Sequence, residues 1–155
     1  MAHAGDDVED TDFLEWAKFH KTVILLNGGT SNSGKESYYG LEPRKGSMEN
    51  HLESLKENGI KAVPFYEPDL NYSLSSIDFI VDERVYNRTK YPDYTPLDVQ
   101  EVEDSIMTTK NFDHFVEAKE CGELSQSFLN WVESIGGEKN LFLRLYVNHI
   151  PLARN

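Results

Sequence analysis

Residues 60–81, "IKAVPFYEPDLNYSLSSIDFIV", hold two runs dense in β-branched and aromatic residues on either side of Glu67-Pro68-Asp69-Leu70-Asn71. Runs of this composition, interrupted by proline, aspartate and asparagine, predict two strands joined by a turn. Pro64 lacks the N–H that a ladder needs, which places its strand at an edge or a bulge. Upstream, Met48, Leu52 and Leu55 recur at helical spacing between Ser47, a candidate N-cap, and Gly59, a candidate C-cap. Earlier still, Thr22 to Leu26 is an unbroken apolar or β-branched run stopped by Asn27-Gly28-Gly29, which predicts a strand buried on both faces. Strand, helix, strand, strand makes an α/β fold: a small mixed β-sheet with helices packed on it.

The flanks are less regular. Acidic "DDVEDTD" ahead of "FLEWAKFH" predicts a short helix over 13–20. "TSNSGKESYYGLEPRKG" is rich in glycine and serine and predicts a long irregular loop. Residues 84–98, "RVYNRTKYPDYTPLD", interleave Arg84, Arg88 and Lys90 with Tyr86, Tyr91 and Tyr94. This arm is expected to be irregular, with its tyrosines covering a sheet edge. Beyond it, Leu124, Phe128, Trp131 and Ile135 share one helical face ended by Gly136-Gly137, and "NLFLRLYV" adds a further apolar segment. The expected division is an α/β domain over 1–97 and a helical C-terminal extension over 98–155.

At 155 residues the chain suits one domain with an appendage. Its 27 acidic against 15 basic residues give a net charge of -12, which repels phosphate backbones and argues against general nucleic-acid coating while leaving room for a focused site. A single cysteine, Cys121, excludes an intramolecular disulfide framework and any multi-cysteine zinc site. His3, His20, His51, His114 and His149 show no metal-ligand spacing, so neither metal nor cofactor is expected. No apolar run approaches the roughly 18 residues of a membrane span, and the start of the chain is acidic where a signal peptide is basic. The expectation is a soluble, cytoplasmic protein without membrane partners.

Two stretches point to chemistry. In "VILLNGGTSNSGKES" an apolar run precedes Gly29 and Gly34-Lys35 at the spacing of a phosphate-binding P-loop. The stretch resembles the phosphate loop of chloramphenicol phosphotransferase-like kinases, and "IDFIVDE" supplies an apolar run ending in Asp82, where such enzymes hold magnesium. Against it, Glu36 stands where the motif has Ser or Thr, and Gly40, Pro43 and Gly46 interrupt the helix that should follow. A nucleotide-dependent small-molecule kinase using Lys35 and Asp82 is therefore the alternative reading.

The other stretch covers more of the chain. His3-Ala4, then "FLEW", "HKTVIL" and "MENHLESLKENGI", and finally "FYEPDLNYSLSSIDFIV", occur in the order seen in type II peptidyl-tRNA hydrolases, which residues 2–83 resemble. The family's Gly-Lys-x-Ala-Ala-Gln segment, which precedes its His-Ala, has no counterpart here, so the family lysine is absent. The insertion after Asn27 and the tail "GGEKNLFLR" resemble versions carried by large bacteriophages. The resemblance implies hydrolysis of the ester joining a peptide to tRNA, in the host cytoplasm if phage-encoded. Asp69 falls on the family's active-site aspartate and would orient water, His3 would move protons, and the Ser75 hydroxyl would hydrogen-bond the carbonyl or the ribose. Lys35, Asn71, Arg84 and Arg88 are the candidate substrate-binding residues, with peptidyl-tRNA or the tRNA acceptor end as partner. A catalytically silent tRNA- or protein-binding module of the same fold is a third reading. An unpaired sheet edge also leaves a homodimer open.

Overall fold

A computed structural model describes residues 11–20, 22–31, 46–96 and 112–153. The chain is a small mixed α/β fold whose described strands form one two-stranded antiparallel sheet. It divides into two compact units: Met1–Glu57 with Lys61–Ile80 and Pro151–Asn155, and Asn58–Ile60 with Val81–Ile150.

In the first unit, residues 11–15 are helical and pass into a π-helical turn, Trp16–His20. Helix α1 spans Ser47–Glu57 and strands β1 and β2 span Val63–Glu67 and Ser73–Asp78. The apolar spacing of α1 buries Leu52 and Leu55, and the helix packs on β2, whose Leu74 is buried. Ser47 does not act as the helix N-cap that its position suggests. The reach-back bond of a capping box comes instead from Glu49, whose Oε2 accepts from Gly46 N–H at 2.8 Å. The Ser47 hydroxyl is used by the upstream loop: it donates to Gly28 O at 2.6 Å and accepts from Thr30 N–H at 2.8 Å, while Met48 N–H donates to Thr30 O at 2.9 Å.

The two strands run from Val63↔Asp78 to Glu67↔Ser73, with a register shift between Phe65 and Tyr66 that leaves Ser75 as the extra, bulged residue. Pro64 thus sits one rung from a strand end, beside a bulge. Strand β2 stops at Asp78, so Phe79, Ile80 and Val81 lie outside the ladder. The run Thr22 to Leu26 departs further from expectation. Among the described residues it makes a single bridge, Leu26↔Leu152, secured by Asn27 N–H to Pro151 O at 2.8 Å and Ala153 N–H to Leu25 O at 2.9 Å. Val23 and Leu25 are 65% and 68% exposed rather than buried on two faces. Apolar composition alone does not make a central strand, because a strand needs neighbours on both edges.

The second unit is helical: α2 (Glu83–Tyr86), α3 (Phe112–Glu120), α4 (Gln126–Ser134) and α5 (Glu138–His149). Helices α2, α3 and α4 each pack on α5. That explains why "NLFLRL" is buried on every side, from Asn140 through Leu145. The core joins Phe115, Phe128, Val132, Ile135, Leu141 and Leu145. The Ser125 hydroxyl caps α4 by accepting from Phe128 N–H at 3.1 Å. Gly136 and Gly137 both hold positive φ, 105° and 90°, in the turn into α5, a conformation that side chains disfavour. The arm after Asp82 packs with these helices: Tyr94 meets the Phe128 ring edge-on at 5.1 Å, and Trp131 Nε1 donates to Pro92 O at 3.1 Å. Tyr91 and Tyr94 pack on a helical core where a sheet edge was expected, while Tyr86 is exposed, so the arm belongs with the residues that follow it rather than those before it.

Candidate functional site

The head of the β1–β2 hairpin presents the most accessible of the described candidate groups. Pro68 opens a single 3₁₀ turn, Pro68–Leu70, where its fixed φ suits a first helical position and its missing N–H costs nothing. Asn71 and Tyr72 then take left-handed φ values of 52° and 56° and reverse the chain. Two bonds fix the turn: Tyr72 N–H to Glu67 O at 2.9 Å and Ser73 Oγ to Leu70 O at 2.7 Å. Asp69 is exposed at this apex, and among the described residues its carboxylate accepts no hydrogen bond and forms no ion pair. Ser75 lies on the same hairpin at the bulge, where its hydroxyl is exposed and donates to Phe65 O at 3.3 Å. Phe65, Tyr66, Leu70 and Tyr72 expose much of their apolar surface around these polar groups. The hairpin thus brings Asp69, Asn71 and Ser75 onto one element. His3 and Lys35 lie outside the described residues.

Arg84 and Arg88 belong to the second unit, and each is already matched by a carboxylate. Arg84 grips Asp82 through Nη2–Oδ2 at 3.0 Å and Nε–Oδ1 at 3.3 Å. Arg88 Nη1 lies 2.6 and 2.7 Å from the two Asp93 oxygens. Asp82 also caps α2, accepting from Arg84 N–H at 2.8 Å, and accepts from Asn140 Nδ2 at 2.9 Å. Burial pushes the Asp82 carboxyl up, but the hydrogen bonds from Arg84 and Asn140, with the Arg84 charge, together hold it below the ordinary aspartate value.

These contacts bear on the phosphate-loop alternative. The lone pairs of Asp82 are committed to protein donors, and the first amides of α1 are tied to Thr30. Among the described residues, no group of three or more His, Cys, Asp or Glu side chains is placed to hold a metal ion.

Arg144 is not among the candidates that the sequence offers. Its side chain is 2% exposed in α5, Nη1 donates to Arg84 O at 2.8 Å and Tyr91 O at 2.9 Å, and Nη2 donates to Asp93 Oδ1 at 2.7 Å. Its guanidinium also stands 5.5 Å from the centre of the Trp131 ring. The available signal was one charge inside "LFLRLYV", since a charge on an apolar helix must be paired if it is buried.

No helix among the described residues is long and apolar enough to cross a membrane. Comparison of the chain with protein-family models, with curated proteins and with solved structures returns no match.

Proposed function

We propose that the hairpin head is the working surface of a peptidyl-tRNA hydrolase-like protein that cleaves the ester between a peptide and tRNA. The observation that carries this reading is the contrast between two aspartates. Asp82 is consumed by structural contacts, whereas Asp69 stands at a turn rigid enough to aim it, with its carboxylate open to a water molecule. The Glu-Pro-Asp-Leu-Asn resemblance gives that carboxylate a role, and the exposed aromatic side chains beside it supply flat surfaces on which unpaired acceptor-end bases can stack.

In this mechanism Asp69 orients a water and takes its proton as the water oxygen bonds to the ester carbonyl carbon. The carbonyl electron pair moves onto oxygen, where the Asn71 amide and the Ser75 hydroxyl, turned from Phe65 O, are the candidate donors for the developing charge. Collapse breaks the bond to the ribose oxygen, which leaves with the proton. Arg84 and Arg88 are ion-paired with Asp82 and Asp93, and no step of this mechanism is assigned to them.

The test is release of N-acetyl-amino acid from N-acetyl-aminoacyl-tRNA without ATP. Wild type should turn over, and Asp69→Asn should lower kcat by about 10²- to 10⁴-fold, the usual contribution of a positioned base. Equal rates in the two proteins would overturn the assignment. Because stacking rather than basic charge holds the substrate, KM should vary little with salt, with a log–log slope well short of that for several phosphate contacts.

A further inference from the structure

Residues 91–96, Tyr-Pro-Asp-Tyr-Thr-Pro, follow α2 without forming helix or strand. A proline favours extended backbone at the residue before it, here Tyr91 and Thr95, so the segment has little conformational freedom left to lose on docking. It is held against α4 and α5 by four contacts. The Pro92 carbonyl, the one backbone hydrogen-bonding group a proline has, accepts from Trp131 Nε1 at 3.1 Å. Arg144 donates to the Tyr91 carbonyl at 2.9 Å and to the Asp93 carboxylate at 2.7 Å. The Tyr94 ring stands edge-on to Phe128 at 5.1 Å and tilted to Trp131 at 5.9 Å. Docking of an extended, proline-bearing segment on an aromatic-lined groove is also how many proteins read a peptide from outside the chain. Both sides keep partners when these contacts open. Arg88 lies 2.6 and 2.7 Å from the Asp93 oxygens and moves with the segment, while Arg144 retains the Arg84 carbonyl at 2.8 Å and the Trp131 ring at 5.5 Å. Pro92, Asp93 and Thr95 are exposed, so the segment lies over the helices as a strap.

We infer that this face of α4 and α5 is a recognition site for an extended protein segment of the form aromatic-proline-acid-aromatic, kept closed by the chain's own residues 91–94. The resident segment defines the ligand. Its proline offers a carbonyl to the Trp131 indole, the next residue a carboxylate to the Arg144 guanidinium, and the one after that a ring to Phe128. None of these contacts depends on the segment being joined to the helices, so a partner protein carrying the same pattern takes the place of the strap and releases it. Charge sets the selectivity: a basic residue in place of the acid would put a second cation beside Arg144, which is 2% exposed. A tethered strap competes at an effective concentration on the order of millimolar, which makes the intact chain a weak binder until the strap is loosened.

The probe is a fluorescently labelled synthetic peptide of residues 88–96, RTKYPDYTP, and its anisotropy is followed as the intact chain is added. The chain carrying Asp93→Ala and Tyr94→Ala, whose strap is weakened, should bind the peptide about tenfold or more tighter than wild type does. Peptides carrying Asp93→Asn or Tyr94→Ala should lose about tenfold of that affinity, the cost of one charge-assisted bond or one ring contact. The unaltered peptide should also raise the thermal midpoint of the double variant, so a chain left only marginally folded still reports on the site. Asp93→Asn alone, a milder change, should shift affinity in the same direction by less. A weakened-strap chain that binds no tighter than wild type and gains no thermal stability from the peptide would overturn the inference, as would binding indifferent to Asp93→Asn and Tyr94→Ala in the peptide. No residue of the hairpin head is altered, so the result stands apart from the hydrolase proposal.

Discussion

At the scale of residues, one buried cation organises the helical unit. Arg144 reaches the Arg84 and Tyr91 carbonyls and the Asp93 carboxylate in three directions at once, which only a planar five-donor group can do. Arg144→Met should destabilise this unit by about 2–4 kcal/mol, because carbonyls beneath it lose their donors, and Arg144→Lys should recover only part of that. Chemical denaturation followed through Trp131 measures both. Asp82 sets an acid limit. Its carboxyl is held below the ordinary value of 3.8 in the folded chain, so its contribution is complete above that value and falls away as pH drops through the lower, folded one. Asp82→Asn should flatten the stability curve in that acid window while leaving its shape above pH 5 unchanged. Gly136 is constrained twice, by a φ of 105° and by the Asn140 amide lying where a Cβ would go, so Gly136→Ala should cost more stability than Gly59→Ala, where φ is 74° and the space is open.

At the scale of elements, what could be read locally was legible. The spacing of Met48, Leu52 and Leu55 marks α1, that of Phe128 and Ile135 marks α4 and its end, and the Glu67–Asn71 turn separates β1 from β2. Each depends on contacts within about a dozen residues. The failures share the opposite property. Thr22 to Leu26 has the composition of a central strand, yet its ladder depends on partners distant in sequence, and among the described residues it makes only the bridge to Leu152. The arm around Tyr91 and Tyr94 reads as sheet cover because its partners lie far along the chain, Phe128 in α4 for the Tyr94 ring and Arg144 in α5 for the Tyr91 carbonyl. That Asp69, Asn71 and Ser75 lie close together along the chain was legible, because one turn and one bulge carry them all. Arg144 was not, since nothing near it in sequence names its acceptors. Ser47 shows how local rules can compete: its hydroxyl is recruited by Gly28 and Thr30, while Glu49 reaches back to Gly46. Ser47→Ala should cost roughly 1 kcal/mol, comparable to loss of a cap, through release of the loop from the helix; a thermal melt detects it.

At the scale of the whole molecule, burial is divided unequally. The helical unit holds a contiguous aromatic and aliphatic core, and the hairpin unit leaves most of its described large apolar side chains exposed. The chain's two tryptophans fall one in each unit, Trp16 and Trp131, so they report the two separately. With Trp16→Phe and Trp131→Phe as single-probe variants, denaturant should release Trp16 before Trp131; coincident transitions would show that the units unfold as one. Charge pairing follows the same division: the helical unit pairs Arg84, Arg88 and Arg144 with Asp82 and Asp93, and the hairpin unit exposes the Asp69 carboxylate and several aromatic faces. The most direct test compares ester cleavage of N-acetyl-aminoacyl-tRNA by wild type, Asp69→Asn and Asp82→Asn, each shown folded by circular dichroism. Loss of turnover in Asp69→Asn with turnover retained in Asp82→Asn is the predicted result, whereas cleavage that survives Asp69→Asn, or that no folded protein performs, would contradict the assignment of the hairpin head as the active surface.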